Sequence, residues 1–221
     1  MQQEVIIVGG GMVGLSLALM LAKQNIAVKL LEAIKYPNYD DVNLAPYHSS
    51  FDARNSALSR RTVQIYQELG LWSALQEHAT PILEVNITEQ GSFGKARLKA
   101  EQEKVESFGQ VIENAWLGRV LLTEVQKQPF IELIDGVQVT QLTQDADMAY
   151  IKASRGEEQL SLQAKLVIAA DGRDSFCRKA LGIGASEHDY DQVAIVTTVQ
   201  TSKPHNHVGF ERFSSLGPLA L

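Results

Sequence analysis

A glycine-rich turn close to the N-terminus constrains the fold of this chain more than any other feature. Glu4 to Val8 is an apolar, β-branched run that predicts a buried parallel strand. The next residues read Gly-Gly-Gly-Met-Val-Gly, and Met12 to Gln24 carries Leu and Ala at helical spacing, with Asn25 as a helix stop. Ala27 to Leu31 predicts a second buried strand. Together these segments span about 30 residues, which is the size of a βαβ unit.

The turn has the pattern G-x-G-x-x-G, formed by Gly9, Gly11, Met12, Val13 and Gly14. Gly9 permits the tight turn, Gly11 leaves room for a pyrophosphate, and Gly14 allows close packing of helix on strand. The helix N-terminus offers free N–H groups and a partial positive charge to phosphates. Glu32 follows Gly14 by 18 residues, near the spacing of about 20 expected for an acid that binds a ribose hydroxyl. We predict a dinucleotide site without a 2′-phosphate, rather than a purely structural turn.

Composition and charge narrow the class of protein. The chain is 45% hydrophobic and 21% charged, which is typical of a soluble globular protein, and its net charge of −6 gives no reason to expect nucleic acid as a partner. Cys177 is the only cysteine, so redox chemistry would need a cofactor. Val5 to Ala22 lacks charge, but its glycines and the absence of a preceding basic segment argue against a membrane span or signal peptide. We therefore expect a cytoplasmic location.

The remaining pattern predicts further helices and strands, and the strands fall in two regions. Helices are predicted over Ser56 to Leu69, Trp116 to Gln126 and Asp174 to Leu181. The strand-like segments are a hairpin over Pro81 to Leu98, short alternating strands over Phe130 to Leu162, a central buried strand over Lys165 to Ala170, and strands over Val193 to Thr201 and Val208 to Phe213.

A second candidate segment follows the predicted strand that ends near Ala170. Asp171 at this strand end can accept a hydrogen bond from a sugar or ribityl hydroxyl, and Gly172 lets a cofactor pass close to the backbone. Taken by themselves, these two residues are better explained by an ordinary strand-turn-helix with Asp-Gly as the turn. The residues alone leave NAD and FAD open.

The run from Asp171 to Arg178 matches the pattern D-G-x-x-S-x-x-R and resembles the single-component flavin monooxygenases of the p-hydroxybenzoate hydroxylase-like family. In that family the pattern follows a G-x-G-x-x-G turn and a ribose-binding Glu in the same order. The resemblance implies FAD as cofactor and an α/β fold, in which a Rossmann-like FAD-binding domain is interleaved with an antiparallel β substrate domain. We place the FAD-binding domain at residues 1–80 and 108–186, and the partial β domain at 81–107 and 187–221.

The same resemblance suggests three further cofactor-binding residues. Arg54 matches an Arg near the FAD pyrophosphate, and its guanidinium suits phosphate oxygens. Gln110 and Arg119 resemble the family's flavin-contacting Gln and Arg. The alternatives are a surface pair between Arg54 and Asp52, and an Arg119 that only covers the exposed side of its helix.

Segments 51–59, 69–72, 210–213 and 217–221 resemble the 2-polyprenyl-6-methoxyphenol hydroxylases of ubiquinone biosynthesis. This resemblance implies O₂-dependent hydroxylation of a polyprenylated phenol, with NAD(P)H or another reductant as electron donor. It also implies contact with other ubiquinone-biosynthesis proteins and peripheral contact with a membrane. No residue of the chain is identified as the catalytic base.

One family motif, Gly-Asp-Ala-Ala-His or similar, is not found in these 221 residues. We therefore expect the chain to be C-terminally incomplete, to retain flavin weakly or not at all, and not to hydroxylate. Two alternatives stay open: a non-catalytic dinucleotide-binding remnant, and an FAD-dependent isoprenoid reductase or dehydrogenase. An NAD-only dehydrogenase would give Asp171 and Gly172 no task. His205 and His207 lack a third ligand at metal spacing, so no metal site is predicted.

Overall fold

The computed structural model describes residues 5–36 and 51–221, which contain parallel and antiparallel sheets with helices. The predicted α/β class is confirmed. The helices are α1 Met12–Lys23, α2 Arg60–Glu68, α3 Trp72–Leu75, α4 Asn114–Lys127 and α5 Phe176–Ala180. The strands are β1 Val5–Val8, β2 Val28–Leu31, β3 Asn55–Ser59, β4 Ala79–Pro81, β5 Glu84–Glu89, β6 Lys95–Lys99, β7 Gly109–Glu113, β8 Ile131–Ile134, β9 Gln138–Gln144, β10 Ala149–Arg155, β11 Glu158–Ala164, β12 Leu166–Ala169, β13 Val208–Ser214 and β14 Gly217–Ala220.

The chain forms two compact units, each made of two separate stretches. The first unit contains Met1–Ala53 and Asn114–Ile195, and the second contains Arg54–Glu113 and Val196–Leu221. The units change over at residues 54, 114 and 196, whereas the domain boundaries predicted from the sequence are 81, 108 and 187. Those domain boundaries stay a prediction.

A four-stranded parallel sheet forms the base of the first unit, in the order β12-β1-β2-β8. All four residues of β1 are buried, as expected for a strand that is covered on both faces. Helix α1 connects β1 to β2 and buries Leu15, Ala18, Leu19 and Ala22 at spacings of three and four residues. The helix stops where Asn25 adopts a left-handed φ of 59° and donates its N–H to the Ala22 carbonyl.

An antiparallel meander of β9, β10 and β11 packs against this parallel sheet within the first unit. Ile151 and Ala153 of β10 are fully buried, while Lys152 between them is exposed. They share one apolar cluster with Ile6 of β1, Leu31 of β2 and Cys177 of α5. This cluster is the core beneath the carboxyl ends of β1 and β2.

The second unit contains two sheets, ordered β3-β7-β4 and β14-β13-β5-β6. Strands β5 and β6 form the predicted hairpin, with left-handed Gly91 and Gly94 in its turn. Strand β13 pairs antiparallel with β14 and parallel with β5, so the larger sheet is mixed.

Three elements differ from the sequence prediction. Residues 56–59, predicted as helix, belong to strand β3 because they pair with β7, and the Ser59 side chain then caps helix α2 by accepting the Thr62 N–H. Strand β12, predicted as central, lies at one edge of the four-stranded sheet, and Leu166 is 52% exposed. Residues 193–201, predicted as strand, carry no regular structure.

Within residues 5–36 and 51–221, no helix has the length and apolarity needed to cross a membrane.

Candidate functional site

A cleft of about 490 Å³ opens in the first unit where β1, β2 and β12 end. Strand β1 lies between β2 and β12. Helix α1 connects β1 to β2 on one side, whereas β12, on the other side, comes from a later part of the chain. Ligands of open α/β sheets bind at such a switch point, outside the carboxyl ends of the strands. The lining residues are Val8, Gly9, Gly11, Leu31, Glu32, Ala33, Ile34, Val137, Gln138, Val139, Ala170, Asp171, Gly172, Arg173, Asp174 and Phe176.

The glycine turn leaves no room for side chains at Gly9 and Gly14, where a Cβ would meet backbone atoms. Gly9 has a φ of +106°, and a Cβ built on it would lie 2.3 Å from the Ala170 carbonyl oxygen. A Cβ on Gly14 would lie 1.8 Å from the Gly9 carbonyl oxygen. Gly9 therefore brings β1 close to β12, and Gly14 brings helix α1 close to the turn.

The N-terminus of helix α1 faces the site with backbone groups. Gly11 is the N-cap residue of the helix. Because glycine has no side chain, Gly11 makes no side-chain hydrogen bond to the first N–H groups of the helix. The first turn contains no acidic residue, so the positive end of the helix dipole is not offset there. Gly11 itself lines the cleft, and this arrangement suits an anion such as a phosphate.

Glu32 ends β2 and is only 7% exposed. One carboxylate oxygen accepts the N–H of Gly10, and the other accepts the N–H of Ile34 at 2.8 Å. These two bonds fix the carboxylate at the wall of the cleft. A carboxylate oxygen can accept more than one hydrogen bond, so the group can also accept a hydrogen bond from a sugar hydroxyl.

Asp171 lies on the opposite wall of the same cleft and is also held by two hydrogen bonds. Its oxygens accept the Ser175 hydroxyl at 2.6 Å and the Cys177 N–H at 3.0 Å. Burial disfavours the carboxylate, but these bonds outweigh it, so the pKa of Asp171 lies below its usual value. Gly172 follows with a φ of +79°, which turns the chain toward helix α5.

The other residues of the D-G-x-x-S-x-x-R pattern shape this turn. The Ser175 hydroxyl accepts the Arg178 N–H at 3.0 Å and so caps helix α5. The Arg178 guanidinium donates to the Arg173 carbonyl oxygen at 2.8 Å. The residues of the pattern therefore form a hydrogen-bonded turn between β12 and α5, which is the structural role of an Asp-Gly turn. The same turn leaves the Asp171 carboxylate on the cleft wall.

The structure brings together the predicted residues Gly9, Gly11, Glu32, Asp171 and Gly172 around one cleft. Within the described part of the chain, the lining does not include the predicted residues Met12, Val13, Gly14 and Arg119. The Arg119 guanidinium carbon lies 5.8 Å from the centre of the Trp116 ring on helix α4. Arg54 and Gln110 belong to the second unit, where Gln110 lies on β7 between Leu58 and Pro81. Their roles toward a cofactor stay predictions.

Sequence reasoning missed part of the cleft wall. Residues 33–34 follow Glu32, and residues 137–139 follow the Asp135-Gly136 turn at the start of β9. Arg173, Asp174 and Phe176 complete the lining beside Gly172. Ala33 could have been predicted to line the cleft, because it directly follows Glu32 at the end of a strand. Residues 137–139 could not, because only the tertiary packing of the meander brings them to the cleft.

The histidine pair of the second unit is organised by its own contacts. The His207 N–H donates to His205 Nδ1 at 3.0 Å, and the two rings meet edge to face at 5.0 Å. Among the residues that the structure describes, no three His, Cys, Asp or Glu side chains are grouped to hold a metal.

The chemistry of the cleft fits the hydroxyl and pyrophosphate groups of FAD. Glu32 and Asp171 supply hydroxyl acceptors, and the start of helix α1 supplies N–H donors. Leu31, Val139 and Phe176 supply apolar parts of the wall. An apolar cleft with a few placed polar groups is typical of cofactor sites.

Curated relatives align with nearly the whole chain. It is 32% identical over 218 residues to the ubiquinone hydroxylase UbiL of Rhodospirillum rubrum, covering 99% of this chain and 48% of that protein. It is 31% identical over 219 residues to the 3-demethoxyubiquinol 3-hydroxylase of Escherichia coli, covering 98% of this chain and 53% of that protein. The chain thus spans about half the length of the curated relatives it matches.

Solved structures share the fold. The OxyS anhydrotetracycline hydroxylase of Streptomyces rimosus superposes with a TM-score of 0.68 at 23% identity, covering 86% of this chain and 36% of that one. The p-nitrophenol 4-monooxygenase PnpA of Pseudomonas putida superposes with a TM-score of 0.66 at 23% identity, covering 82% of this chain and 44% of that one. The model of the FAD binding domain family matches residues 2–214, so this chain belongs to that family.

Proposed function

We propose that this chain is the FAD-binding part of an O₂-dependent monooxygenase that hydroxylates the ring of a polyprenylated phenol in ubiquinone biosynthesis. The observation that carries the proposal is the shared cleft of Gly11, Glu32 and Asp171. Two sugar-binding acids on opposite walls, with a helix N-terminus between strand ends, suit a two-part nucleotide better than a mononucleotide. The names of the relatives from Rhodospirillum rubrum and Escherichia coli support ubiquinone chemistry.

In this proposal each predicted residue has one task toward FAD. Glu32 accepts hydrogen bonds from the hydroxyls of the adenosine ribose, and the N–H groups at Gly11 face the pyrophosphate. Asp171 accepts a hydrogen bond from a hydroxyl on the flavin side, where Gly172 leaves space. Arg54, Gln110 and Arg119 are proposed as further contacts of the pyrophosphate and flavin.

Bound FAD, reduced by two electrons from NAD(P)H or another donor, supplies O₂ activation, so that one oxygen atom enters a ring C–H bond as hydroxyl and the other leaves as water. The tasks of this chain are then to bind and orient the cofactor and to keep it at the end of the parallel sheet. Glu32 and Asp171 perform the orientation as charged acceptors whose own hydrogen bonds fix their direction.

Titration of the purified chain with FAD, followed by flavin fluorescence, tests the binding step. E32Q and D171N should each weaken binding, whereas E158Q, an exposed change on β11, should not. Equal affinity of all four proteins would overturn the assignment of the cleft. The prediction that this chain retains flavin weakly or not at all is tested by the wild-type titration in the same experiment, and tight stoichiometric binding would overturn it.

Labelled O₂ tests the reaction. The protein from its native cells is incubated with FAD, NAD(P)H, a polyprenylated phenol and ¹⁸O₂, and the product is analysed by mass spectrometry. Label in a new ring hydroxyl supports the proposal. A reduced or dehydrogenated product without label would indicate the isoprenoid reductase or dehydrogenase, and FAD binding without turnover would indicate the non-catalytic module.

The substrate class also leads us to propose a cytoplasmic location with peripheral membrane contact, and association with other enzymes of ubiquinone biosynthesis. A polyprenyl chain partitions into the bilayer, so an enzyme that acts on it gains by residing at the membrane surface. Flotation of the native protein with phospholipid vesicles, with and without polyprenylphenol, checks this part separately.

A further inference from the structure

Tyr36 is tied to the glycine turn although it lies outside every cofactor-binding pattern in the sequence. The side chain is buried, with 6% of the residue exposed, and its hydroxyl donates to the Gly10 carbonyl oxygen. The Tyr36 N–H donates to an Asp135 carboxylate oxygen at 2.8 Å. Both ends of the residue are therefore fixed, one to the turn after β1 and one to the turn before β9.

The tyrosine also accounts for a glycine that the binding pattern does not require. Gly10 occupies the first variable position of G-x-G-x-x-G. A Cβ built on it would lie 2.0 Å from the Tyr36 hydroxyl oxygen and 3.0 Å from Glu32 Cβ. The Tyr36 hydroxyl thus fills the space that a side chain at position 10 would need.

The hydrogen bond fixes a peptide group that borders the cleft. The carbonyl of Gly10 and the N–H of Gly11 belong to one planar peptide, and no cis peptide is found in the described residues, so the two groups point in opposite directions. By holding the carbonyl, Tyr36 fixes the direction of the Gly11 N–H. Glu32 holds the N–H of Gly10 and so restrains the preceding peptide.

We propose that Tyr36 is a positioning residue for phosphate binding, acting through the orientation of the Gly11 N–H at the start of helix α1. The inference rests on the proposed dinucleotide site and adds to it a residue that is not among those lining the cleft. Preorganised backbone donors bind a phosphate more strongly than donors that must first rotate. The effect should therefore fall on the phosphates and spare the adenosine.

The test compares ADP with adenosine as calorimetric probes of the purified chain. Y36F, which removes only the hydroxyl, should weaken ADP binding about fivefold, the effect of one hydrogen bond, and leave adenosine binding unchanged. Y150F is the matched control, because the Tyr150 hydroxyl also donates a hydrogen bond, to Asp145 at 2.8 Å, but on the exposed face of the meander. Thermal unfolding of each variant verifies folding.

A second variant keeps the test decisive if Y36F proves unstable. G10A should displace the Tyr36 hydroxyl and reproduce the loss for ADP, and the double variant G10A/Y36F should lose no more than G10A alone. Equal losses for ADP and adenosine, or no loss for either, would overturn the role of Tyr36 and leave the site intact. Absence of ADP binding by the wild-type chain would overturn both proposals.

Discussion

Glu32 combines a structural and a recognition role in one carboxylate, because it accepts two backbone N–H groups and also lines the cleft. We predict that E32Q weakens ADP binding about tenfold and lowers the free energy of unfolding by about 2 kcal/mol, because the new NH₂ group faces an N–H donor. Calorimetry with ADP and urea denaturation measure the two effects. If E158Q on β11 has the same effects, the change is one of net charge and the explanation is wrong.

Asp171 links the cleft to pH, because its pKa is lower in the folded protein than the ordinary value of 3.8. A carboxylate whose pKa is depressed by folding stabilises the folded state above the ordinary pKa, and this contribution disappears as the pH falls through the lowered value. D171N lacks the titration. The difference in unfolding free energy between wild type and D171N, about 1 kcal/mol at neutral pH from the lost charge-assisted bonds, should be constant above about pH 5 and shrink below about pH 4.

Urea denaturation from pH 2 to pH 7 measures this difference. D174N, at an exposed position three residues away, serves as the control for removing one negative charge from the same turn. A difference that stays constant down to pH 2 would contradict the role assigned to the Ser175 and Cys177 hydrogen bonds.

At the scale of elements, helix α4 is anchored by a close contact between a glycine and an aromatic ring. Phe51 is 1% exposed, and a Cβ built on Gly118 would lie 2.2 Å from its ring. The neighbouring Asp52 carbonyl accepts the Ala115 N–H at 3.1 Å. The segment that leads to Arg54 is therefore fastened to the first turns of α4.

We predict that G118A destabilises the protein by about 1–3 kcal/mol through overpacking, even though Ala favours a helix over Gly by about 1 kcal/mol. G184A, where a Cβ would meet nothing within 4 Å, should have little effect. In a protein that already carries F51L, which removes the ring, G118A should lower the free energy of unfolding by a smaller amount. Urea denaturation of the four variants measures these values, and an unchanged stability of G118A would show that the ring can move aside.

The elements that the sequence predicted well are those whose pattern is local. The βαβ unit of β1, α1 and β2 follows from apolar periodicity and the glycine turn, and the acids Glu32 and Asp171 follow from their places at strand ends. Strand β3 was misread as helix because its conformation depends on pairing with β7, about 50 residues later. Tyr36 and Phe51 could not be assigned from the sequence, since their roles depend on Gly10 and Gly118, which only the fold brings to them.

At the scale of the whole molecule, the cleft is formed by residues that are distant in the sequence. Gly9 and Asp171 belong to the two separate stretches of the first unit and meet because β1 pairs with β12. The core beneath them joins the parallel sheet, the meander and helix α5 through one cluster that contains Cys177. A ligand that bridges the cleft should therefore stabilise the whole first unit.

Cys177, the only cysteine of the chain, can report this stabilisation. It is fully buried, and burial together with the negative charge of Asp171 raises the pKa of its thiol to about 12. At pH 8 the folded protein should thus react with DTNB far more slowly than free cysteine, because the thiolate is both rare and inaccessible.

Under mild urea, where labelling proceeds through unfolding, ADP or FAD at one hundred times its dissociation constant should slow labelling about a hundredfold, equivalent to about 2.7 kcal/mol. C177A gives the background rate. Labelling that is fast in the native state, or that saturating ligand leaves unchanged, would show that helix α5 opens independently of the cleft, and the predicted coupling between the cofactor site and the core would then be wrong.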